Sequence, residues 1–291
     1  MMTSPFAPFD WKLAHGRSLT LGPEAVIMAV INVTPDSFSD GGRNLAVESA
    51  VANALQAAED GARIIDIGGE STRPGAAPVS AEEEQARILP VIEQLARKSG
   101  LILSVDTYRA DTARLAIRAG AHIINDIEGL QKDPAMAATA VDTGAGVIAM
   151  HTGRGRDKLA DPVEDQRHFF AATLRIAEEA GLARERIVLD PGFGFNKETP
   201  SDNLALMARF DELIALGYPL LAGTSRKRFL GALTGRDPAE RDVATAATSA
   251  LLRNAGAAIF RVHNVAFNRD ALRVADAMLK ARETDGRGTL A

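Results

Sequence analysis

The sequence contains no cysteine among its 291 residues. Disulfides and thiolate metal sites are therefore excluded. We expect the protein in the cytoplasm, because a chain without cysteine fits a reducing compartment. The first residues, MMTSPFAPFDWK, lack the basic stretch and apolar core that mark a signal peptide. No apolar run approaches the roughly 20 residues that a membrane helix needs, so no membrane association is expected.

The sequence also lacks the histidine spacings of a zinc enzyme and an excess of positive charge. Neither HExxH nor HxxxH occurs, which makes a zinc site unlikely to be the centre of the chemistry. The formal net charge is −5, and nucleic-acid binding is not expected because it requires a basic face. An anionic small-molecule substrate remains compatible, since a local group of Arg and Lys can outweigh the global sign.

Short apolar runs, each followed by a polar or Gly-rich junction and a helical pattern, organise the rest of the chain. Such nearly continuous apolar runs are typical of strands buried on both faces of a parallel sheet. Eight strands alternating with helices predict the α/β class and a single (β/α)8 TIM barrel. An open doubly wound sheet is the alternative, but no GxGxxG follows the first run. The runs are 25–32, 63–69, 101–107, 122–127, 146–151, 186–192, 218–225 and 257–263.

The N-terminal residues form a separate pattern. Residues 9–22 indicate two short strands around a turn at His15 and Gly16, which we interpret as a β-hairpin that closes the bottom of the barrel. The expected organisation is an N-terminal extension over residues 1–24, one barrel domain over residues 25–283 and a short tail over residues 284–291. No linker divides the chain.

Polar residues gather where the predicted strands end, and in a barrel of this type the active site lies at that end. One group is cationic or potentially cationic, with Asn32, Ser71 and Thr72 as neutral partners. It suits a phosphate or pyrophosphate, because arginine can donate two hydrogen bonds to such a group. Its members are Arg73, Arg226, Lys227, Arg261 and His263.

A second group, Asp106, Asn125 and Asp190, is rich in acceptors. Carboxylates and amides in an apolar well suit a flat heterocycle with a guanidine-like edge, such as a 2-amino-4-oxo ring. A buried acceptor without a partner is costly, so such a pocket selects strongly for its ligand. Each aspartate could instead cap a helix or hold a loop, and Asn125 could instead satisfy backbone groups.

Taken together, these segments resemble the dihydropteroate synthase family. The resemblance covers roughly residues 25 to 265 in the family's order. The matching stretches are INVTPDSFSDGG (31–42), DIGGESTRPGA (66–76), SVDT (104–107), INDI (124–127), LDPGFGFNK (189–197), GTSRK (223–227) and RVH (261–263). It implies a transferase of folate biosynthesis that condenses 6-hydroxymethyl-7,8-dihydropterin pyrophosphate with p-aminobenzoate, giving 7,8-dihydropteroate and pyrophosphate by a dissociative displacement.

The resemblance also implies roles for individual residues, with Mg²⁺ as the cofactor and a homodimer as the assembly. The pterin would be held by Asp106, Asn125, Asp190 and Lys227, with Arg261 over its face. The pyrophosphate would be held by Asn32, Arg73, Arg261 and His263, with Asn32 also a ligand of Mg²⁺. The p-aminobenzoate pocket would be bordered by Phe38, Thr72, Pro74, Phe195, Ser225 and Lys227. Asp36 is a further catalytic candidate on the loop 33–42, which we interpret as a lid, and Met150 and Gly223 are further substrate-binding candidates.

The chain departs from the family pattern after the fifth predicted strand, where MHTGRGRDKLADPVEDQ carries Arg154, Arg156 and Lys158. Arg228 likewise stands where a serine is usual. The extra positive charge at 152–166 is compatible with a pyrophosphate contact, a partner contact or solvated surface. Alternative functions are a corrinoid-type pterin-binding methyltransferase domain, a non-catalytic pterin-binding paralogue and a Schiff-base aldolase using Lys227.

Overall fold

The computed structural model describes residues 4–33, 42–71, 78–197 and 199–284. The first strands, β1 (Phe9–Lys12) and β2 (Ser18–Leu21), pair antiparallel as a hairpin. The predicted turn at His15 and Gly16 is confirmed. Both residues have positive φ, 57° and 68°, a backbone conformation that glycine adopts without steric cost.

Eight further strands form one parallel sheet in the order β8-β7-β6-β5-β4-β3-β10-β9. A bridge between Leu189 and Leu220 joins the outer strands, so the sheet closes into a barrel and the predicted fold is confirmed. The seventh barrel strand is much shorter than the predicted run 218–225, because Pro219 lacks the N–H that a sheet ladder needs. The strands are β3 (Val26–Asn32), β4 (Ile64–Gly68), β5 (Ile102–Asp106), β6 (Ile123–Asp126), β7 (Gly146–Met150), β8 (Ile187–Asp190), β9 (Leu221–Ala222) and β10 (Ile259–Val262).

Helices follow the strands and cover the outside of the barrel. Ser80 caps α2 by accepting a hydrogen bond from the Glu83 N–H at 3.2 Å, and Asp161 caps α5 in the same manner. Among the described residues, no helix is both long and apolar enough to cross a membrane. The helices are α1 (Gly42–Glu59), α2 (Ala81–Lys98), α3 (Ala110–Arg118), α4 (Met136–Thr143), α5 (Pro162–Glu179), α6 (Pro200–Ala208), α7 (Arg228–Thr234), α8 (Asp242–Asn254) and α9 (Val265–Thr284).

The hairpin closes the end of the barrel where the strands begin. Its apolar side chains form one buried cluster with the first inward-facing residues of the barrel strands. The Trp11 side chain is fully buried, and its indole N–H donates to the Arg186 carbonyl at 2.9 Å. The end of the barrel where the strands finish is not covered by the hairpin and is where a functional site can lie. The cluster comprises Trp11, Leu13, Leu19, Leu21, Val26, Met28, Ile64, Ile102, Ile123, Ile148, Val188, Leu221, Ala258 and Ile259.

Replacing Trp11 by Ala is expected to lower the free energy of unfolding by about 3–5 kcal/mol, because it removes a large buried side chain and leaves a cavity. Urea denaturation measures this loss. The turnover of the folded variant should stay near that of the parent, since the hairpin lies at the end of the barrel away from the strand ends that carry the polar residues. A large loss of turnover without a loss of stability would contradict the assignment of Trp11 to the plug.

Candidate active site

The carboxyl ends of the strands bring the predicted acceptors to one level. In the parallel register, Asn32 of β3 is opposite Gly68 of β4, and Gly68 is opposite Asp106 of β5. Asp106 is in turn opposite Asn125 of β6. Met150 and Asp190 pair across β7 and β8 in the same way. The predicted acceptor residues therefore lie together at one end of the barrel.

Arg261, on β10, lies at the centre of this group. Its Nη2 donates to Asp106 Oδ2 at 2.6 Å, and its Nε donates to Asp66 Oδ2 at 2.7 Å. Asn125 Nδ2 donates to the same Asp66 oxygen at 3.1 Å. One guanidinium thus bridges two carboxylates from neighbouring strands. The guanidinium compensates the negative charge of the two buried carboxylates and offers its planar cationic face to a ligand at the open end of the barrel.

Asp66 is a site residue that the sequence reasoning missed. It lies in the middle of β4 rather than at its end, and its side chain is fully buried. The signal was a lone carboxylate inside the apolar run RIIDIGG, where burial is expensive without a partner. Asp66 Oδ1 and the hydroxyl of Ser104, its register partner on β5, have no hydrogen-bond partner among the described residues. These two buried oxygens can therefore still accept hydrogen bonds from a ligand.

Burial dominates the electrostatics of the acidic group. It raises the pKa of Asp106 to about 7, against the opposing charge of Arg261. Burial also raises the pKa of Asp190, against a hydrogen bond from the Gly192 N–H and the charges of Lys227 and Arg261. A carboxyl in such surroundings gains much from a ligand that donates hydrogen bonds to it.

Lys227 and His263 carry less charge at the mouth than the sequence suggests. Burial lowers the pKa of Lys227 to about 8, with Arg261 adding repulsion. Burial, followed by the same arginine, lowers the pKa of His263 to about 3, so the imidazole is neutral near pH 7. Its Nδ1 lies 2.8 Å from Ser225 Oγ, and that oxygen also accepts the His263 backbone N–H at 3.1 Å.

Arg226, which was predicted among the cations for a phosphate, pairs with a carboxylate of the protein itself. Its Nε and Nη2 donate to the two carboxylate oxygens of Asp242 at 2.7 and 2.8 Å. Its φ of 56° turns the chain between Ser225 and Lys227. The guanidinium is engaged with α8, so Arg226 fixes the turn that presents its neighbours. Sequence alone could not place Asp242 beside it, because the two residues meet only through tertiary packing.

Phe195 and its surroundings form an apolar wall at the same mouth. The ring belongs to a buried cluster with Ile127 and Met150. Lys227 Nζ lies 4.2 Å from the ring centroid, and the Arg154 guanidinium carbon lies 4.8 Å from it. Both distances fit cation–π contact. Phe195 and Lys227, two residues predicted to border the p-aminobenzoate pocket, are therefore in contact, and Ser225 lies two residues before Lys227 on the loop after β9. Gly223, a further substrate-binding candidate, lies close to the Asp190 carboxylate.

Several predicted site residues lie outside the described part of the chain. They are Asp36, Phe38, Thr72, Arg73 and Pro74, and the loop interpreted as a lid lies outside it for all but Val33 and Gly42. The described chain on either side of residues 72–77 is anchored by Arg109. This side chain donates to Glu70 Oε2 at 2.7 Å and to the Val79 carbonyl at 2.6 Å.

The closed parallel barrel holds buried aspartate and asparagine side chains at one end, with Lys227, Arg261 and His263 beside them. This arrangement is typical of an enzyme site for a flat, electron-poor heterocycle. Comparison with known sequences gives the same class. The family of pterin-binding enzymes matches residues 28–263. The dihydropteroate synthase of Bacillus subtilis is 44% identical over 262 residues, 90% of this chain and 91% of that protein. The chain belongs to this family of pterin-binding transferases, and within it to the dihydropteroate synthases.

Solved structures agree with this assignment. The dihydropteroate synthase of Xanthomonas albilineans with 4-aminobenzoic acid has a TM-score of 0.87 and 44% identity, covering 93% of this chain and 98% of that one. The same enzyme in complex with 7,8-dihydropteroate has a TM-score of 0.83 and 42% identity, covering 92% and 98%. The relatives match along most of the chain, so the expected family and fold are confirmed.

Proposed function

We propose that this chain condenses 6-hydroxymethyl-7,8-dihydropterin pyrophosphate with p-aminobenzoate, giving 7,8-dihydropteroate and pyrophosphate, in the cytoplasm. The observation that carries this proposal is the Asp66–Arg261–Asp106 bridge beside Asn125 and Asp190, a set of acceptors around a planar cation. Its chemistry matches a pterin better than any sugar or simple phosphate. The similarity to synthases solved with 4-aminobenzoic acid and with 7,8-dihydropteroate supports both substrates.

The pterin would occupy the acidic well. Its 2-amino group and ring N–H would donate to Asp190 and Asp106, and Asn125 can both donate and accept. Protein covers nearly all of the Asp106 and Asp190 side chains, so a ligand that left these carboxylates without hydrogen bonds would bind poorly. Arg261 would stack on the ring from the β10 side, and Met150 would supply apolar contact.

The pyrophosphate would lie toward Asn32, Arg73, Arg261 and His263, and p-aminobenzoate toward Phe195, Ser225 and Lys227. The donor set fits a Mg²⁺ ion carried by the substrate. The described residues contain no group of three His, Asp or Glu that could hold a metal. Mg²⁺ commonly takes most of its ligands from substrate phosphates and water. Asn32, the last residue of β3, would add one amide oxygen.

Charge separation governs the chemistry that the site must assist. The bond between the pterin methylene carbon and the pyrophosphate oxygen breaks, and the electron pair leaves with the pyrophosphate. The arylamine nitrogen then bonds to the methylene carbon and gives up one proton. Mg²⁺, when bound, supplies positive charge that stabilises the leaving group. Arg261 and Lys227 add charge on the same side, whereas Asp106 and Asp190 favour the electron-poor pterin.

An assay with purified protein, the pterin pyrophosphate, p-aminobenzoate and Mg²⁺ tests this proposal. We expect pyrophosphate release that depends on p-aminobenzoate, with 7,8-dihydropteroate as the second product. Release at the same rate without the arylamine, or no release in either case, would overturn it. Binding of the pterin without turnover would favour the non-catalytic paralogue instead.

The proposed homodimer would use the outer faces of α8 and α9. These two helices pack together and expose large apolar side chains to solvent. Val243 and Leu251 of α8 are 71% and 64% exposed, and Val274 and Phe267 of α9 are 71% and 52% exposed. An apolar surface shared by two adjacent helices fits a self-complementary interface better than it fits solvent.

Replacing both Leu251 and Val274 by Glu is expected to convert the dimer to a monomer, since four carboxylates would be buried at a symmetric interface. Light scattering coupled to gel filtration measures the mass. The matched control is Leu204→Glu on α6, which replaces an exposed leucine on a different helix and should leave the mass unchanged. A double variant that kept the parent's dimer mass would exclude this face.

A further inference from the structure

The unusual loop after β7 contacts the loop after β8 at several points. Lys158 Nζ donates to the Asn196 carbonyl at 2.6 Å, and Asn196 Nδ2 donates back to the Gly153 carbonyl at 2.5 Å. Arg154 lies over the Phe195 ring. Two of the extra cations of this loop, Arg154 and Lys158, therefore contact the protein's own loop after β8. They face the segment 191–197, which carries the wall of the proposed arylamine pocket.

Arg156 anchors this contact from behind. Its Nη1 and Nη2 donate to the two oxygens of Asp165 on α5 at 2.8 and 2.6 Å. Its Nε donates to the Thr152 carbonyl at 2.9 Å. Asp165 also accepts the Leu159 N–H at 2.9 Å. The loop 152–159 is thus held onto the start of α5 by one bidentate ion pair and one backbone N–H, and a further hydrogen bond to the Thr152 carbonyl closes the loop on itself.

His151 transmits this arrangement to the next loop. Its Nε2 lies 2.9 Å from Asp165 Oδ2, and its Nδ1 lies 3.1 Å from Lys197 Nζ. Lys197 is only 6% exposed and also donates to the Gly192 carbonyl at 2.8 Å. Burial lowers the pKa of Lys197 to about 7. The two bonds of this one buried side chain therefore join His151 to both ends of the segment 192–197, with Phe195 between them.

Burial and hydrogen bonding shift the pKa values of the groups in this cluster. Burial lowers the pKa of His151 to about 4, so the ring is neutral and has one donor and one acceptor. Burial would raise the pKa of Asp165, but hydrogen bonds from His151 and Arg156 outweigh it and hold that pKa well below its usual range. His151 Nε2 lies 2.9 Å from Asp165 Oδ2 and 2.7 Å from Arg156 Nη2, whereas Nδ1 lies against Lys197, so the imidazole joins the Arg156–Asp165 ion pair to Lys197.

We propose that Arg156 is a positioning residue which, through Asp165, His151 and Lys197, fixes the segment 191–197 and so sets the place of the Phe195 wall. This inference rests on the proposed function, because it assigns Phe195 to the arylamine rather than to the pterin. The pterin acceptors Asp106 and Asn125 lie on β5 and β6, outside this chain of contacts. Asp190 meets it at one point, the Gly192 N–H that donates to Asp190 Oδ1 at 2.8 Å. Loss of Arg156 therefore weakens arylamine use far more than pterin binding.

The test compares Arg156→Met with Arg167→Met. Arg167 is also an arginine close to Asp165, but its partners are the exposed carboxylates Glu164 and Glu212. We expect the Arg156 variant to raise KM for p-aminobenzoate about tenfold or more, since displacing a contact surface by about 1 Å is enough for such losses. The Kd for a pterin ligand should stay within about twofold of the parent. Arg167→Met should change neither, and Arg156→Lys should recover part of the loss.

Asp165 is left buried without its arginine in Arg156→Met, and this could unfold the chain instead of moving the wall. The double variant Arg156→Met with Asp165→Asn removes that charge, and it should fold and still show the raised KM. An unchanged KM in both variants, or equal losses of pterin and arylamine affinity, would overturn the inference. Failure of the parent enzyme to release pyrophosphate would instead overturn the proposed function.

Hydrogen exchange gives a readout that does not need catalysis. The Phe195 N–H is bonded to the Gly192 carbonyl at 3.2 Å, and the Gly194 N–H to Asn203 Oδ1 at 2.8 Å. These amides should exchange faster in Arg156→Met and in Lys197→Met than in the parent or in Arg167→Met. Equal exchange in all four proteins would contradict a positioning role, whatever the activity assay shows.

Discussion

Asp190→Asn is expected to abolish detectable pterin binding while leaving the fold intact. Asp190 is the last residue of β8 and is 4% exposed, and one of its carboxylate oxygens accepts the Gly192 N–H at 2.8 Å. An amide of the same shape presents a donor where the ligand also presents one, so the lost bond is accompanied by an unpaired buried group. Losses of this type reach about 10⁴-fold in sites built around a hydrogen bond.

The free energy of unfolding should change little in this variant, or rise. Burial raises the pKa of Asp190, which means that the ionised carboxylate is less stable in the fold than in water. A neutral amide does not carry that cost. Calorimetric titration with a pterin measures the binding, and Arg73→Ala is the comparison, since its role on the pyrophosphate side predicts that much of the pterin affinity remains. Equal losses in the two variants would contradict the division into two zones.

Arg261→Met is expected to be the most destabilising of the site substitutions. Asp66 and Asp106 share this guanidinium at 2.7 and 2.6 Å, and both carboxylates are enclosed by protein. Removing one partner of a buried ion pair typically costs about 3–5 kcal/mol, because the charge that remains has no compensation. Pyrophosphate release should be lost as well, since the same side chain is assigned to the pterin and to the leaving group.

The loss should depend on pH. Burial already raises the pKa of Asp106 from its ordinary value to about 7 with Arg261 present, and without the arginine this pKa rises further. A carboxyl whose pKa is higher in the folded state stabilises the fold at low pH, and this stabilisation is lost as the pH rises through the folded-state pKa. Denaturation curves should therefore show a larger deficit for Arg261→Met at pH 8 than at pH 5.

Two further variants separate charge from packing. Adding Asp66→Asn to Arg261→Met removes one uncompensated carboxylate and should recover part of the stability, whereas Arg261→Lys should keep much of it. A deficit that was the same at both pH values and was not reduced by Asp66→Asn would show that lost packing, rather than unpaired charge, governs the effect.

The barrel could be predicted from the sequence because its signals are local. Each of the eight apolar runs contains a strand, and a parallel strand buried on both faces has a recognisable composition. Polar residues at strand ends were likewise visible, since the fold class alone dictates that those ends share one face. Asp106, Asn125 and Asp190 therefore lie together as the pattern implied.

The partners of the charged residues could not be predicted, because they are set by packing between distant segments. Arg226 and Asp242 meet through the docking of α8, and Arg156 and Asp165 meet through the folding back of the loop 152–159. Each guanidinium looked available in the sequence and proved to be committed. Asp66 was missed for a related reason, since only the barrel interior reveals that its neighbours are Arg261 and Asn125.

The hairpin at the bottom of the barrel has a consequence for the order in which the molecule assembles. Trp11 is synthesised well before its hydrogen-bond partner, the Arg186 carbonyl, which lies 175 positions later. Its apolar neighbours come from all eight barrel strands, and the last of these, Ile259, is synthesised later still. The apolar face of the β1–β2 hairpin therefore stays exposed to solvent until all eight barrel strands have been synthesised. Long-range contacts of this kind slow folding, and a nascent chain of this protein should depend on chaperones chiefly through the hairpin residues 9–21.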